Sequence, residues 1–501
     1  MMYLFFICTI FFLLSLFQSL KLNKSPSDHN AHIFIINEIQ KKNYGLPSTP
    51  ISIINKSSWG GYPIIYHYLI SKFSSRFNKY FSLIQSPILT IIICTIIVHL
   101  MGYESKSKEI IFFLILFSPF NFDINNAKNY GFSCRTLGQL FLILFIVSLF
   151  KFIPSDYIIE DNIVYFSLAF FSAMGIIMFN VFALQALLIF CFISLLFGSW
   201  MPLIILILAL LTFIILFGEY GKQYIVSTVR YWNSYRKYFA KISILKLYPS
   251  FWLTPFIELK SVIQTRNYKR IYNLITHNSV INVFLFNPIV LLMPYLLYQN
   301  DIDNNVVYHL SVAMFFAFFV TSIKPGRFWG EPHRYLELLT PFVIVFGFNH
   351  IEKIDYYFIC YMILANSIQI YFFTKQVSIR LDKNEKCLNN ILNIIVKKVV
   401  KPVVLSNNSH TIRYFMSQNW RFIVPWSIDE KIAGMWADEL YTRFPFIDNK
   451  PLLKIIDEFR PNVLILSNRN QYKKSEILKR KYTLQHKEDE FQIFIISKDT
   501  S

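Results

Sequence analysis

Residues 1–20 read MMYLFFICTIFFLLSLFQSL, a segment without a charged side chain. Its length matches the roughly 20 residues that a helix needs to cross the hydrocarbon core of a bilayer. It has no basic residues ahead of the apolar run and no small-residue cleavage motif, so we interpret it as a retained span rather than a cleaved signal. Similar apolar segments recur along the chain and stop near residue 373. The repetition indicates a mainly α, multi-pass membrane protein.

The composition also indicates a membrane protein. The chain has 501 residues, of which 54% are hydrophobic and 16% are charged, whereas soluble domains are typically about 25% charged. We predict about eleven transmembrane helices. Beyond the first, these are 81–101, 109–120, 137–153, three within 163–217, 280–298, 305–322, 337–349 and 354–373. The block 163–217 is broken at Asn180 and at residues 198–202.

The formal net charge of +19 excludes no partner by itself. The Lys and Arg residues are spread over loops rather than gathered on one soluble module, which favours membrane lipids with anionic head groups over nucleic acid. The six cysteines form no CxxC pair and no Cys/His cluster at metal spacing, so no metal site is expected. A divalent cation is compatible with the sequence, but nothing indicates one, and the cofactor stays open.

We divide the chain into two domains. Residues 1–375 form the membrane domain, in which 21–80 is a first external loop with amphipathic helices and 218–278 is a basic, aromatic segment typical of the membrane interface. Residues 376–501 form a small soluble α/β domain. In this tail, strand-like runs alternate with helical ones, which predicts a mostly parallel sheet. The predicted strands are 403–406, 422–426, 462–467 and 491–497, and the predicted helices are 409–417, 451–459 and 474–482.

The count of spans and the distribution of positive charge give conflicting indications of the membrane topology. Counting eleven spans from a cytoplasmic N-terminus places the first loop, the loop 323–336 and the C-terminal domain on the outer face. The same count also places the basic segment 218–278 outside, against the rule that positive loops stay inside. Moving one break within 163–217 would exchange the two sides for everything that follows.

The first external loop contains SPSDHNAHIFIINEIQKK, residues 25–42. Apolar residues at positions 33, 35, 36 and 39 predict an amphipathic helix that opens at Asp28 and ends near Lys41. Taken alone, Asp28 could serve only as the cap of this helix, because Asp is a favoured N-cap residue.

The order of these features resembles the C-type (GT-C) superfamily of integral membrane glycosyltransferases. The resemblance consists of a span, an Asp that opens a D-x-x-x-H-I-x-x-I helix, a G-x-P break and a Tyr-Pro before a second amphipathic helix. Here these residues are Asp28, His32, Ile33, Ile36, Gly45, Pro47, Tyr62 and Pro63. The resemblance implies an inverting transfer of a sugar from a polyprenyl-phosphate donor. It also implies that Asp28 is the base or orienting ligand for the acceptor, with His29 and His32 beside it in substrate binding.

A second polar stretch, SPFNFDINNAKNYGFSCRTLGQL, covers residues 118–140. The superfamily often supplies a second acid from such a loop, which makes Asp123 the matching candidate and places Arg135 near the substrate. The alternative is equally open: Asp123 belongs to an ordinary turn, and Arg135 extends its charge to the interface from a helix start.

A third stretch, GRFWGEPHRYLE, covers residues 326–337. Guanidinium groups bind phosphate through paired hydrogen bonds, so we expect Arg327 and Arg334 to hold the lipid phosphate. Glu331 would orient an arginine or reach the sugar, and His333 and Tyr335 complete the expected substrate-binding set. Alternatively, acids and arginines three residues apart form only an ion-pair ladder that anchors the helix end.

We therefore expect a membrane glycosyltransferase whose acceptor is a lipid-linked glycan, a lipid or a protein. It would reside in a bacterial inner membrane with its active site on the outer face. Two other classes stay open: a flippase, transporter or polymerase of lipid-linked saccharide, and a noncatalytic scaffold that presents the soluble tail. A transporter should carry ionisable residues or broken helices deep within its spans.

Overall fold

The structure is a computed structural model of the chain. It describes a large part of the sequence. The described residues are 2–22, 28–41, 64–101, 108–122, 131–132, 134–152, 159–234, 252–265, 278–298, 305–323, 326, 329–350, 355–372, 374, 379–416, 418, 420–423, 447–468, 472, 474–480, 482–488 and 491–496.

Up to residue 372, the described elements are all helical. They are α1 Met2–Leu22, α2 Asp28–Lys41, α3 Ile65–Ser71, α4 Ser75–Met101, α5 Lys108–Leu116, α6 Arg135–Phe152, α7 Ile159–Phe179, α8 Val181–Leu196, α9 Met201–Ser234, α10 Thr254–Thr265, α11 Ser279–Phe286, α12 Met293–Tyr298, α13 Asn305–Ser322, α14 His333–His350 and α15 Asp355–Phe372. Short 3₁₀ turns lie at Pro119–Phe122 and Pro288–Leu292.

Several of these helices are long and apolar enough to cross a membrane. Among the described residues there are five, or six when the pair Ser279–Phe286 and Pro288–Leu296, bent by 87°, is taken as one broken span. Shorter apolar helices lie at Val181–Leu196, Val306–Ser322 and Ile359–Tyr371. In hydrocarbon, helices satisfy their own backbone hydrogen bonds, so these elements indicate a multi-pass integral membrane protein.

The apolar block 163–217 forms three helices, with breaks where the sequence predicted them. Asn180 separates α7 from α8: its Oδ1 accepts a hydrogen bond from the Ala183 N–H at 2.9 Å and so caps α8. Its Nδ2 donates to the Cys134 carbonyl at 2.9 Å. The same side chain packs on Gly138 of α6. One buried amide thus joins three helices in a region where unpaired polar groups are costly.

The next helix, α9, breaks at Gly218. This residue has φ 51° and ψ −125°, outside the helical region, within an otherwise helical run. Glycine tolerates positive φ because it lacks Cβ. The break falls where the sequence changes from apolar to basic and aromatic, so the apolar half of α9 ends there.

By its internal contacts the chain divides into two compact units. The described residues of the first unit fall within Met1–Ser19, Lys79–Gly221 and Tyr248–Lys375; those of the second fall within Leu20–Asn78, Lys222–Leu247 and Gln376–Ser501. Helices α2 and α3 of the first loop therefore belong to the same unit as the C-terminal region. The predicted domain boundaries did not anticipate this grouping.

The C-terminal region begins with the amphipathic helix α16, Ile379–Lys398, and then forms a five-stranded sheet. The remaining elements are β1 Val403–Ser406, α17 Ser409–Phe415, β2 Arg421–Ile423, α18 Asn449–Phe459, β3 Val463–Ser467, α19 Lys474–Leu478, β4 Tyr482–Glu488 and β5 Phe491–Ile496. The strand order is β2-β1-β3-β5-β4. Its core includes Leu405, Leu452, Leu464 and Phe494, all fully buried.

The expectation of a mostly parallel sheet is wrong. Strand β1 pairs in parallel with β2 and β3, but β5 pairs antiparallel with both β3 and β4. The helix predicted at 474–482 ends at Leu478, and residue 482 begins β4. Only residues 489 and 490 separate β4 from β5, and so short a connection permits only antiparallel pairing.

We predict that Gly138→Ala destabilises the protein. A Cβ at this position would lie 2.3 Å from the Asn180 Cβ, and such overpacking typically costs about 1–3 kcal/mol. Helix propensity alone would favour Ala by up to about 1 kcal/mol. The control Gly347→Ala meets its nearest atom, Leu296 Cδ1, at an ordinary 3.6 Å.

Thermal unfolding of the purified protein in detergent compares the two variants. The midpoint of Gly138→Ala should fall below that of the parent, while Gly347→Ala should match or exceed it. Equal midpoints for the two variants would rule out the close packing of α6 on Asn180.

Candidate functional site

A cluster of charged residues lies where α14 begins, in the first compact unit. The Arg334 Nη2 lies 2.6 Å from the Glu331 Oε2, and the His333 Nε2 lies 3.7 Å from the same oxygen. The side chain of Glu331 is 51% exposed, whereas that of Arg334 is 21% exposed. The ion pair expected from the three-residue spacing therefore forms, and its acidic end faces outward.

Two buried contacts hold the start of α14 in place. The His333 Nδ1 lies 2.9 Å from the Ser279 Oγ at the first residue of α11. The Tyr335 hydroxyl donates to the Trp329 carbonyl at 2.6 Å, and its ring lies 4.9 Å from that of Phe182. These contacts fix the backbone that carries Arg334.

Tyr335, one of the predicted substrate-binding residues, is fully buried, and its hydroxyl donates to a backbone carbonyl. Its position suits a structural role in the turn before α14. His333 is also buried, at 8% exposure. Within the expected set in this loop, Glu331 and Arg334 retain accessible side-chain surface.

The turn itself depends on two glycines. Gly330 has φ 118°, which L side chains rarely adopt, and Gly326 leaves no space for a Cβ beside the Val320 carbonyl oxygen. Glycine is the residue that such a backbone requires. Backbone conformation and close packing thus explain why glycine occupies both ends of the GRFWG segment, at Gly326 and Gly330.

Arg135, the first residue of α6, joins this cluster electrostatically. Burial by the surrounding protein opposes ionisation of Glu331, yet Arg334, His333 and Arg135 together lower the pKa of its carboxyl below the ordinary value. The carboxylate is therefore charged at neutral pH although protein crowds it on one side. Two of the predicted polar stretches, 118–140 and 326–337, meet here.

The Arg334 Nε is buried and has no hydrogen-bond acceptor within the described part of the chain. A guanidinium carries five N–H donors, and the pair with Glu331 uses only some of them. A buried donor without an acceptor costs about 1–3 kcal/mol. A ligand with several acceptor oxygens, such as phosphate, would satisfy it.

One turn further along α14, Glu337 lines a cavity of about 20 Å³. Glu337 is 4% exposed. Several polar side chains share the cavity; they are Thr90, Ser118, Asn121, Gln139 and Thr340. The volume suits one water molecule and is far too small for a sugar.

The second compact unit contains the first-loop helix α2, which begins at Asp28 as the apolar spacing predicted. The face that carries Phe34, Ile35, Ile36 and Ile39 is buried. Of Asp28 itself, the structure describes the backbone only. Asp123 and Arg327 lie outside the described residues.

His29 and His32 are both buried at 7% exposure. Burial, reinforced by the nearby His32, lowers the pKa of His29 to about 3, so His29 is neutral at physiological pH. The His32 Nδ1 lies 2.8 Å from the Nε2 of His67 in α3, and the two rings stack with centroids 5.0 Å apart. The contact between His32 and His67 packs α2 against α3, and substrate binding by His29 and His32 stays a prediction.

Sequence reasoning missed His67, Ser279 and Trp329. His67 and Ser279 contact side chains that are distant in the sequence, and Trp329 acts through its backbone carbonyl. Contacts of these two kinds leave no pattern of residue spacing in the sequence. Among the described residues, no group of three His, Cys, Asp or Glu side chains is arranged to hold a metal ion.

No protein-family model and no curated protein matches the chain. A solved structure does: the crystal structure of ArnT from Cupriavidus metallidurans bound to undecaprenyl phosphate. The match has a TM-score of 0.53 and 9% sequence identity, and it covers 98% of this chain and 98% of the ArnT chain. ArnT is a C-type glycosyltransferase. The chain thus shares the ArnT fold along almost its whole length, across both its membrane helices and its sheet region.

Proposed function

We propose that the protein is a membrane glycosyltransferase that moves a sugar from a polyprenyl-phosphate donor to a lipid-linked glycan, a lipid or a protein. The observation that carries the proposal is the fold shared with ArnT along 98% of each chain. ArnT was crystallised with undecaprenyl phosphate, a lipid of the class expected here as the donor's carrier. The cluster at the start of α14 supplies the matching chemistry.

In this proposal Arg334 binds the phosphate of the lipid carrier. Its Nε donor lacks an acceptor among the described residues, and Glu331 orients the guanidinium through its Nη2 at 2.6 Å. Arg135 adds positive charge, as its effect on the pKa of Glu331 shows. Arg327 would contribute a further guanidinium. Charge-assisted hydrogen bonds of this kind are roughly twice as strong as neutral ones.

The reaction would be a single displacement at the anomeric carbon. The acceptor oxygen forms a bond to that carbon while the bond from the carbon to the phosphate oxygen breaks, so the configuration inverts. Asp28 takes the proton from the acceptor hydroxyl, a task that suits a carboxylate. The electron pair of the broken bond stays on the lipid phosphate, whose charge the arginines stabilise. Asp123 remains the candidate for a second acid.

The topology proposed is eleven spans, with the N-terminus in the cytoplasm and the active site at the outer face of a bacterial inner membrane. Helix α2 contacts α17 and belongs to one compact unit with the sheet. An even number of crossings between residues 41 and 379, such as the ten that follow the first span, agrees with this packing. Residues 222–234 of α9 belong to the same unit, which supports the assignment of the basic segment to that side.

A flippase or transporter of lipid-linked saccharide remains the second candidate because two features suit it. The pair of helices at 279–296 is bent by 87°, and Glu337 is buried among apolar helices. Broken helices and ionisable residues within spans are typical of transporters. Transport would need no proton acceptor at Asp28, which separates the two functions.

We predict that Arg334→Gln weakens the binding of undecaprenyl phosphate about tenfold or more, since a hydrogen bond to a charged group contributes about 1.5–3 kcal/mol. Arg334→Lys should recover only part of the affinity, because lysine keeps the charge but not the planar fork. Native mass spectrometry of the purified protein with added undecaprenyl phosphate measures this.

Arg480→Gln provides the matched control for that experiment. Arg480 also pairs with a carboxylate, Asp457, at 2.6 and 2.8 Å, but in the sheet region. Its variant should bind the lipid as the parent does. Unchanged binding in Arg334→Gln would remove the phosphate role.

We predict that Asp28→Asn abolishes sugar transfer while undecaprenyl phosphate still binds, because the amide cannot accept the proton. Mass spectrometry of lipid-linked glycans and surface polysaccharide, in cells whose only copy is the variant, measures transfer. Product at the parent level would exclude Asp28 as the base and favour transport or a scaffold role.

A further inference from the structure

We propose that the C-terminal α/β region positions the helix that begins at Asp28, and that His67 and Phe422 are positioning residues for the reaction. This inference rests on the proposed function, in which Asp28 is the base. It assigns a role to the sheet region, whose sequence carries no nucleotide-binding or metal-binding motif. All the residues involved lie in the second compact unit.

Helix α3 holds α2 at two points. The His32 Nδ1 and the His67 Nε2 are 2.8 Å apart, with both side chains buried. Eight residues further along α2, the Gln40 Nε2 donates to the Ser71 carbonyl at 3.1 Å. Two contacts so far apart resist both rotation and sliding of α2. The contact between His32 and His67 lies one helical turn after Asp28, near the end of α2 that carries the proposed base.

The sheet region holds α2 from another side. The Phe34 ring meets the Phe422 ring edge to face, with centroids 6.1 Å apart and planes at 83°. Phe422 in turn lies 6.3 Å from Trp420, which stacks on Phe415 of α17 at 5.9 Å. Phe34, Phe422 and Phe415 are 5%, 1% and 0% exposed. Edge-to-face aromatic pairs contribute about 0.5–1.5 kcal/mol beyond the area that they bury.

The two supports act on different faces of the helix. His32 and Phe34 are two positions apart. Successive helical residues are rotated by about 100°, so a rotation of about 200° places these two side chains on nearly opposite faces of the helix. Helix α2 is therefore fixed between α3 and the aromatic row that leads into the sheet region. A displacement of 1 Å at a reacting group can cost about 100-fold in rate, which gives such support a catalytic consequence.

The histidine contact also restricts the chemistry of the pair. Two imidazoles share a hydrogen bond only when one nitrogen has a proton and the other has a free lone pair. Replacement of His67 by Leu removes the contact, while Gln offers an amide near the Nε2 position. Comparison of the Leu and Gln variants thus separates the effect of losing the hydrogen bond from the effect of replacing His67 by any other residue.

The experiment compares His67→Leu, Phe422→Leu and His67→Gln in the full-length protein. Transfer is measured as the lipid-linked product per amount of protein in cells that carry only the variant, and binding is measured with undecaprenyl phosphate by native mass spectrometry. We expect at least a tenfold loss of product in both Leu variants with lipid binding within twofold of the parent. His67→Gln should recover at least half of the product.

Phe494→Leu is the matched control. Phe494 is fully buried in β5 and packs near Tyr472 in the sheet core, so its variant weakens the domain without altering the Phe34 contact. Product from Phe494→Leu should exceed that from Phe422→Leu. Equal losses in these two variants, or parent-level product from both Leu variants, would overturn the positioning role.

The outcomes also separate this inference from the proposed function. Parent-level product from Asp28→Asn overturns the proposed function and the inference with it. Loss in Asp28→Asn together with parent-level product from His67→Leu and Phe422→Leu overturns the inference alone.

Discussion

Hydrocarbon offers no hydrogen-bond partners, so every polar group within the membrane part must find one inside the protein. This constraint explains the helical architecture and also its exceptions. Asn180 separates two helices, and its side chain caps the second and donates to the Cys134 carbonyl just before a third. The arginines and Glu331 lie where helices begin rather than in their middle. Charges at helix starts can meet a phosphate without crossing the apolar layer.

The same constraint accounts for the form of the candidate site. A largely buried guanidinium needs a counter-charge, and Glu331 supplies one that remains half exposed. The buried supports of His333 and Tyr335 hold the backbone while leaving part of Arg334 without an acceptor among the described residues. An arginine held in this way is prepared for an anionic ligand. The likeness to ArnT, at 9% identity, is one of fold and transfers no residue roles.

Much of the fold could be predicted from the sequence because its signals are local. The apolar spacing after Asp28 predicted α2, and Asn180 and Gly198 marked real breaks in the apolar block. The hairpin of β4 and β5 was missed because KSEILKRKY has helical spacing. Its last residue, Tyr482, instead begins β4 and packs into the core of the sheet region. Tertiary packing overrode propensity there.

The site was predicted less completely. The pair of Glu331 and Arg334 follows from a three-residue spacing. The contact of His32 with His67 joins residues 35 apart, and the approach of Arg135 to Glu331 joins two loops. Such contacts depend on how helices assemble, which no local pattern specifies. The grouping of the first loop with the sheet region in one compact unit also depends on this assembly.

The proposed transfer is tested most directly by the profile of polyprenyl-phosphate lipids in cells of the native organism that lack the gene. A transferase that consumes such a donor predicts that one polyprenyl-phosphate sugar accumulates, and that the gene restores its normal level. The mass of that lipid would also identify the sugar. An unchanged profile of polyprenyl-phosphate sugars, with and without the gene, would contradict the account.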